Sequence, residues 1–153
     1  MTNPDTNKIR VVLCRPGEYA EVTEIGEDLR SMQEAVGGNI EEYMPFDCAQ
    51  DETPDDRIQD VAIVCDDEGK LKKSALNRAI YSPEGDLQDI IAGTFFICYA
   101  PIASEKFLSL PADLEAKFLE KFRLPEQFFM IGSGVRAVKF DPKQAPTTQE
   151  QVR

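Results

Sequence analysis

Two short runs near the N-terminus have the pattern of β-strands. Residues 9–14 (Ile-Arg-Val-Val-Leu-Cys) are mostly apolar, whereas residues 20–25 (Ala-Glu-Val-Thr-Glu-Ile) alternate apolar and polar positions. The first pattern is typical of a central strand and the second of a half-exposed strand. Because the residues between them, 15–18, are turn formers, the two runs predict a β-hairpin.

The apolar spacing changes after Gly26. Leu29, Met32 and Val36 recur at helical intervals, which predicts a helix over residues 27–36. The glycines at 37 and 38 predict its end, since glycine accepts the left-handed conformation of a helix C-terminus. A further strand is expected over residues 39–46.

The middle of the chain begins with a continuous apolar run at residues 61–65, which predicts a buried strand. A turn at residues 66–69 and a short returning strand at 70–72 are expected to follow. Ser74 is expected to cap a short helix, in which Ala75, Leu76, Ala79 and Ile80 share one face.

Residues 90–98 form the most apolar run and predict a single central strand. Leu114, Phe118 and Phe122 lie four apart, which predicts a helix from about residue 109 to 123. One more strand is expected within residues 127–140. Residues 1–8 and 141–153 are polar, and we expect both ends to be disordered.

The order of these elements predicts the fold class. Strands and helices do not alternate strictly, which favours an α+β fold over a parallel α/β fold. We therefore expect one domain over residues 9–140. It should hold a mixed or mostly antiparallel sheet of about five to seven strands, with two to four helices.

Negative charge is concentrated in one stretch. Fourteen acidic and two basic residues lie between Glu18 and Asp60, while the whole chain has a net charge of −11. Such a field repels nucleic acid and anionic membranes and attracts basic proteins. The predicted acidic interaction surface is centred on a polar loop and consists of Asp47, Asp51, Glu52, Asp55, Asp56 and Asp60. The alternative is that these charges only make the surface soluble.

The sequence contains no histidine, which excludes Ser-His-Asp and Cys-His catalytic arrangements. The four cysteines (Cys14, Cys48, Cys65 and Cys98) are widely spaced and are expected to be buried free thiols, as in intracellular proteins. The acidic turn Asp66-Asp67-Glu68 lacks the spacing of a calcium loop. No metal, cofactor or catalytic residue is therefore predicted, and the protein is not expected to be an enzyme.

Three stretches together resemble a known family. They are the helix stop at 36–41 (Val-Gly-Gly-Asn-Ile-Glu), the turn at 64–71 with Leu76-Asn77-Arg78-Ala79 after it, and the run at 91–97. Their order and spacing are similar to the domain of unknown function 3846, over roughly residues 9 to 129. The resemblance implies an accessory protein of a phage or of a mobile element of Firmicutes, acting in the bacterial cytoplasm.

Asn77 and Arg78 are the candidate ligand-binding pair, together with Gly93 and Thr94. An arginine beside a glycine turn can hold a phosphate or carboxylate, and an asparagine can recognise an amide or a base edge. The alternative is structural: Arg78 would pair with Glu68 or Asp89, and Asn77 would cap backbone groups.

These observations favour a non-enzymatic protein that binds a basic host protein, in the manner of a DNA mimic or an anti-defence protein. The alternative function is binding or sequestering a nucleotide-like small ligand. Direct nucleic-acid binding and membrane binding are not expected, and the sequence leaves the oligomeric state open.

Overall fold

The computed structural model describes residues 7–46 and 55–144. These residues form nine strands, two α-helices and one 3-10 helix. The strands are β1 (Lys8–Cys14), β2 (Glu21–Gly26), β3 (Ile40–Tyr43), β4 (Val61–Asp66), β5 (Leu76–Tyr81), β6 (Leu87–Ala92), β7 (Phe95–Tyr99), β8 (Glu126–Ile131) and β9 (Gly134–Lys139). The helices are α1 (Leu29–Val36), α2 (Ala112–Lys121) and the 3-10 helix Asp56–Asp60.

Five of the strands form one antiparallel sheet in the order β2-β1-β7-β4-β3. Every residue of β4 is buried, and four of the five residues of β7 are buried. These two strands hold the continuous apolar runs of the sequence because both faces of the sheet are covered. β2 and β3 lie at opposite edges of the sheet, and each carries two acidic residues.

Each face of the sheet packs against a different layer. Helix α1 covers one face, where it contributes Met32 and Val36 to the core. Helix α2 and the β5–β6 hairpin cover the other face, where Ile80 and Ile91 meet the stripe of Leu114, Phe118 and Phe122. A second hairpin, β8–β9, lies beside β5 and outside both layers.

The predicted α+β class is confirmed, and the five strands of the main sheet fall within the expected number. The hairpin β1–β2 and the helices α1 and α2 are also confirmed, with α1 capped by Asp28 and ended by Gly37 in the left-handed conformation. The strand expected over 39–46 is shorter, Ile40–Tyr43.

Four predictions of local structure were wrong. The short helix after Ser74 is strand β5, and residues 70–72 are a turn instead of a strand. The apolar run 90–98 is divided between β6 and β7 at Gly93, whose φ of 83° bends the chain. The single strand expected within 127–140 is the hairpin β8–β9, which turns at Gly132.

The error at β5 has a tertiary cause. Residues 77–80 are buried on both sides of the strand, so apolar and polar residues do not alternate there as they do in a half-exposed strand. β5 packs on the sheet through Ile80 while Asn77 and Arg78 are enclosed by neighbouring backbone. Packing against neighbours overrides the local preference that suggested a helix.

The expected disorder of residues 1–8 and 141–153 falls mostly outside the described residues. Among the described residues, Asn7 precedes β1 and Lys8 is its first residue. Near the other end, Asp141 accepts a hydrogen bond from Tyr19 Oη through its carboxylate. In the described part of the chain, neither helix has the length and apolar composition that crossing a membrane requires.

Candidate functional site

Arg78 lies in a cage of backbone carbonyl groups. Its guanidinium donates to Phe122 O (2.9 Å from Nη2), to Glu18 O (2.8 Å) and to Arg15 O (3.3 Å). Its side chain is completely buried, and Asn77 Oδ1 accepts a further bond of 2.7 Å. Arg78 therefore joins β5 to the C-terminal end of α2 and to the turn between β1 and β2.

This placement suits an arginine for an electrostatic reason. Phe122 is the C-cap of α2, where unpaired carbonyl groups carry partial negative charge and favour a cation. Burial lowers the pKa of Arg78, while the nearby Glu126 acts in the opposite direction. The five donors of the guanidinium match the several carbonyl groups around it, which a lysine could not do.

Asn77 is also completely buried, and its polar atoms are used within the protein. Nδ2 donates to Cys14 O at 2.9 Å and to Gly93 O at 2.8 Å. Asn77 thus caps backbone groups at the ends of β1 and β6, as the structural alternative expected. Arg78 instead binds backbone carbonyls, whereas Asp89 forms an ion pair with Lys70.

The other two predicted ligand residues lie at the bend between β6 and β7. Gly93 N donates to Ala75 O, and Gly93 O accepts from Asn77. Thr94 follows and is half-buried. The fold therefore does bring Gly93 close to Asn77 and Arg78, but their contacts hold backbone together. A ligand role for these four residues stays a prediction.

The helix stop and the acidic turn meet at a second set of contacts. Lys72 Nζ donates to Gly37 O at 3.1 Å and binds the nearly buried carboxylate of Asp66 at 2.6 Å. Burial alone would raise the pKa of Asp66, but the bonds from Lys72 and from Glu68 N together lower it. A Cβ on Gly38 would lie 2.7 Å from Asp66 Oδ1 and from Lys72 Nζ.

The third stretch that carries the sequence resemblance, residues 91–97, lies beside the same turn. A Cβ on Gly69 would lie 2.6 Å from Ala92 O, so the turn approaches the end of β6 closely enough to require glycine. Asp67 N also donates to Asn39 O. The three stretches that carry the sequence resemblance therefore form one structural junction between α1, the β4–β5 turn and β6.

Two small cavities open near these residues. One, of about 120 Å³, lies at the junction between Glu41, Lys70 and Asp89. The other, of about 80 Å³, lies between β5, α2 and the β8–β9 hairpin. Both are smaller than the roughly 300–1,000 Å³ typical of pockets for drug-sized ligands. No group of carboxylates and thiols among the described residues has the geometry of a metal site.

The thiols of Cys14, Cys65 and Cys98 are free and buried, as predicted, while Cys48 lies outside the described residues. Burial raises the pKa of Cys14 and of Cys65 to about 12. Cys65 also lies 3.9 Å from the carboxylate of Glu41. These thiols stay protonated near neutral pH, so they are poor nucleophiles.

The N-terminal acidic residues form a band that crosses the molecule. Residues 18–46 contain eight carboxylates and one cation, Arg30. This segment runs from the edge strand β2, across one face as α1, to the opposite edge strand β3. We call it the acidic band. Among the described residues, Glu41 and Glu42 on β3 are exposed and take part in no ion pair.

The predicted acidic loop is only partly described. Asp47, Asp51 and Glu52 lie outside the described residues. Asp55 caps the 3-10 helix and binds Arg57, which also binds Asp113, so the charge of Asp55 is compensated. Asp56 is exposed and Asp60 is half-buried.

Sequence reasoning missed two features near the C-terminus. Glu126 is buried at the base of the β8–β9 hairpin, where its Oε1 accepts a 3.0 Å bond from Ala79 N. Burial raises its pKa. The hairpin itself exposes Phe129, Met130 and Ile131 to solvent. The adjacent Gly132-Ser133-Gly134 is the signal that could have revealed the turn, since short glycine-containing loops favour hairpins.

Comparison with known proteins gives one match. A family model described as a domain of unknown function (DUF3846) matches residues 9–123. This region contains the main sheet, both helices and the β5–β6 hairpin, and it ends before β8. No curated protein and no solved structure matches the chain.

Proposed function

Since the chain belongs to the DUF3846 family, whose description states no activity, we propose a function from its own surface: it binds a basic macromolecule through the acidic band, without catalysing a reaction. The observation that carries this proposal is the arrangement of the band. Carboxylates lie on the edge strand β2, on α1, which covers one face of the sheet, and on the opposite edge strand β3.

The charge is distributed unequally between two segments of the chain. Residues 18–46 have a net charge of −7, whereas residues 117–143 contain six cations and three carboxylates. A patch of one sign steers a partner of opposite sign and raises its association rate. A partner whose groove normally holds nucleic-acid phosphates has the matching charge.

The proposal includes the cellular setting implied by the resemblance. The protein would act in the cytoplasm of a bacterial host, as part of a phage or mobile element, and its target would be a host protein. The free thiols of the described cysteines are consistent with a reducing compartment.

A charge-neutralising variant tests the proposal. Glu24→Gln, Glu34→Gln and Glu42→Gln together remove one carboxylate from each of the three elements. Immobilised wild-type protein should retain basic proteins from a bacterial extract at low salt and release them as salt rises, because salt screens exposed charges. The triple variant should retain far less.

The matched control removes three exposed carboxylates outside the band: Glu84→Gln, Asp86→Asn and Glu105→Gln. It has the same net charge as the test variant and should bind like the wild type. Duplex DNA added as a competitor should leave the immobilised protein unbound while releasing its partner. Equal binding by both variants, or no retained basic protein, would disprove the proposal.

A further inference from the structure

The β8–β9 hairpin lies outside the region matched by the family and is unusually exposed. Met130 and Ile131 near its tip are 74% and 54% exposed. Apolar side chains point from both of its faces, with Met130 and Val135 on one and Phe129, Ile131 and Val138 on the other. An isolated two-stranded hairpin is marginally stable in water, and exposed apolar patches often mark interfaces.

One edge of this hairpin is available for pairing. β8 lies towards β5, and its residue Glu126 binds Ala79 N. β9 pairs with β8 along one edge, and no described strand pairs with its other edge. That edge holds two cations, Arg136 and Lys139, and no carboxylate.

A second free edge on the same molecule has the opposite charge. β3 pairs with β4 along one edge, and no described strand pairs with the other. Its exposed residues are Glu41 and Glu42. Because side chains alternate along a strand, these two carboxylates lie on opposite faces of the sheet, and so do Arg136 and Lys139.

We propose that β9 of one copy adds to the edge strand β3 of a second copy, extending its sheet. In an antiparallel pair with Lys139 opposite Glu41, Arg136 lies diagonal to Glu42, so each face holds one cation of β9 near one carboxylate of β3. Cross-strand neighbours of opposite charge stabilise such a pair. This proposal does not depend on the function proposed above.

The same charges disfavour the symmetric alternatives. Two β3 edges would place carboxylates against carboxylates, and two β9 edges would place cations against cations, so both pairings are disfavoured. The permitted contact joins two different surfaces. It therefore builds a reciprocal dimer, in which each copy adds its β9 to the β3 of the other, or a larger ring or an open chain of copies.

Charge reversal on the full chain tests this arrangement by sedimentation equilibrium over a range of concentrations. The wild type should associate. Arg136→Glu with Lys139→Glu should weaken association about tenfold or more, since both cross-strand attractions become repulsions. Glu41→Lys with Glu42→Lys should weaken it similarly. An equimolar mixture of the two variants should associate again, because each then offers an edge complementary to the other.

Lys8→Glu with Arg30→Glu changes the net charge as much as the β9 variant does, at exposed sites away from both edges. This control should not match the loss caused by the β9 variant. Circular dichroism spectra should show that all variants are folded. A wild type that stays monomeric would overturn the proposal. Association that is unchanged by Glu41→Lys with Glu42→Lys, or an equimolar mixture of the two charge-reversed variants that stays dissociated, would also overturn the proposal.

Discussion

In one hairpin of this protein polar side chains are buried, and in the other hairpin apolar side chains are exposed. β5–β6 encloses Asn77 and Arg78, which are both completely buried. β8–β9 instead leaves Met130 and Ile131 exposed. The difference arises because β5–β6 is covered by the main sheet and the end of α2, whereas β8–β9 contacts the rest of the chain chiefly along β5.

This comparison separates residues that hold the fold from residues that remain available to a partner. A buried polar group is tolerated when every hydrogen-bonding atom has a partner, and in the described residues no buried side-chain polar atom lacks one. Asn77 and Arg78 thus act as connectors between elements. The exposed apolar residues of β8–β9 have no comparable internal role.

The largest difference between the hairpins should appear between their two arginines. Arg78→Ala leaves the carbonyls of Phe122, Glu18 and Arg15 without their buried donor, so we expect a loss of about 4 kcal/mol in the free energy of unfolding. Arg136→Ala, on the exposed hairpin, should change it by less than about 0.5 kcal/mol. Urea unfolding followed by far-ultraviolet circular dichroism measures both. Similar values for the two variants would contradict the comparison.

The buried amide should have the next largest effect. Asn77→Ala removes the donors to Cys14 O and Gly93 O, which we expect to cost about 2 kcal/mol. Gln127→Ala, an exposed amide on β8, provides the control and should be nearly neutral. The same urea titration applies. A neutral Asn77→Ala would show that these carbonyls find other partners.

Glu126, where the two hairpins meet, should make stability depend on pH. Burial raises its pKa in the folded state above 4.5, its ordinary value. The unfolded carboxyl therefore ionises first as pH rises, and the contribution of this residue to stability falls between pH 4.5 and the raised pKa. Glu126→Gln keeps an acceptor for Ala79 N without this titration.

The free energy of unfolding of Glu126→Gln, relative to that of the wild type, should consequently grow between pH 4 and pH 7, as measured by urea unfolding at each pH. Exposed Glu84→Gln is the control and should show no such growth. A difference between Glu126→Gln and the wild type that is constant with pH would contradict the prediction.

The smallest effect is expected at the exposed apolar residues. Ile131→Thr keeps a β-branched side chain in β8 and should change the free energy of unfolding by less than about 0.5 kcal/mol. Ile80→Thr, at a buried position of β5, should destabilise clearly more because it buries a hydroxyl group. Thermal unfolding of the two variants measures the contrast, which equal shifts in Tm would refute.

The fold was predictable where the spacing of apolar residues fits only one kind of element. Leu114, Phe118 and Phe122 form a single stripe that a helix explains, and α2 is a helix. Residues 74–80 also carried a helix-like spacing of apolar positions. Most of them belong to the strand β5 instead, and because this strand is enclosed on both sides, its apolar positions reflect burial and not a helical face. Gly93 was recognised as part of a candidate site, yet the bend that separates β6 from β7 depends on its contacts with Ala75 and Asn77.

The candidate site was predicted less completely than the fold. The sequence indicated that Asn77, Arg78 and Gly93 belong together, and the structure brings them together. It could not indicate that the partners of Arg78 are backbone carbonyls, because every residue offers the same carbonyl group. For the same reason, Glu126 gave no signal: its partner is the backbone amide of Ala79, 47 positions earlier.

The sequence by itself determined the α+β class, the strands β1 and β4, the helices α1 and α2, and the acidic character of the N-terminal half. These depend on local periodicity and on composition. Tertiary structure alone decided that β2, α1 and β3 arrange this charge as a band from edge to edge. It also decided that Arg78 is enclosed while Arg136 is exposed. Such distinctions arise from which distant segments pack together, and no local pattern encodes them.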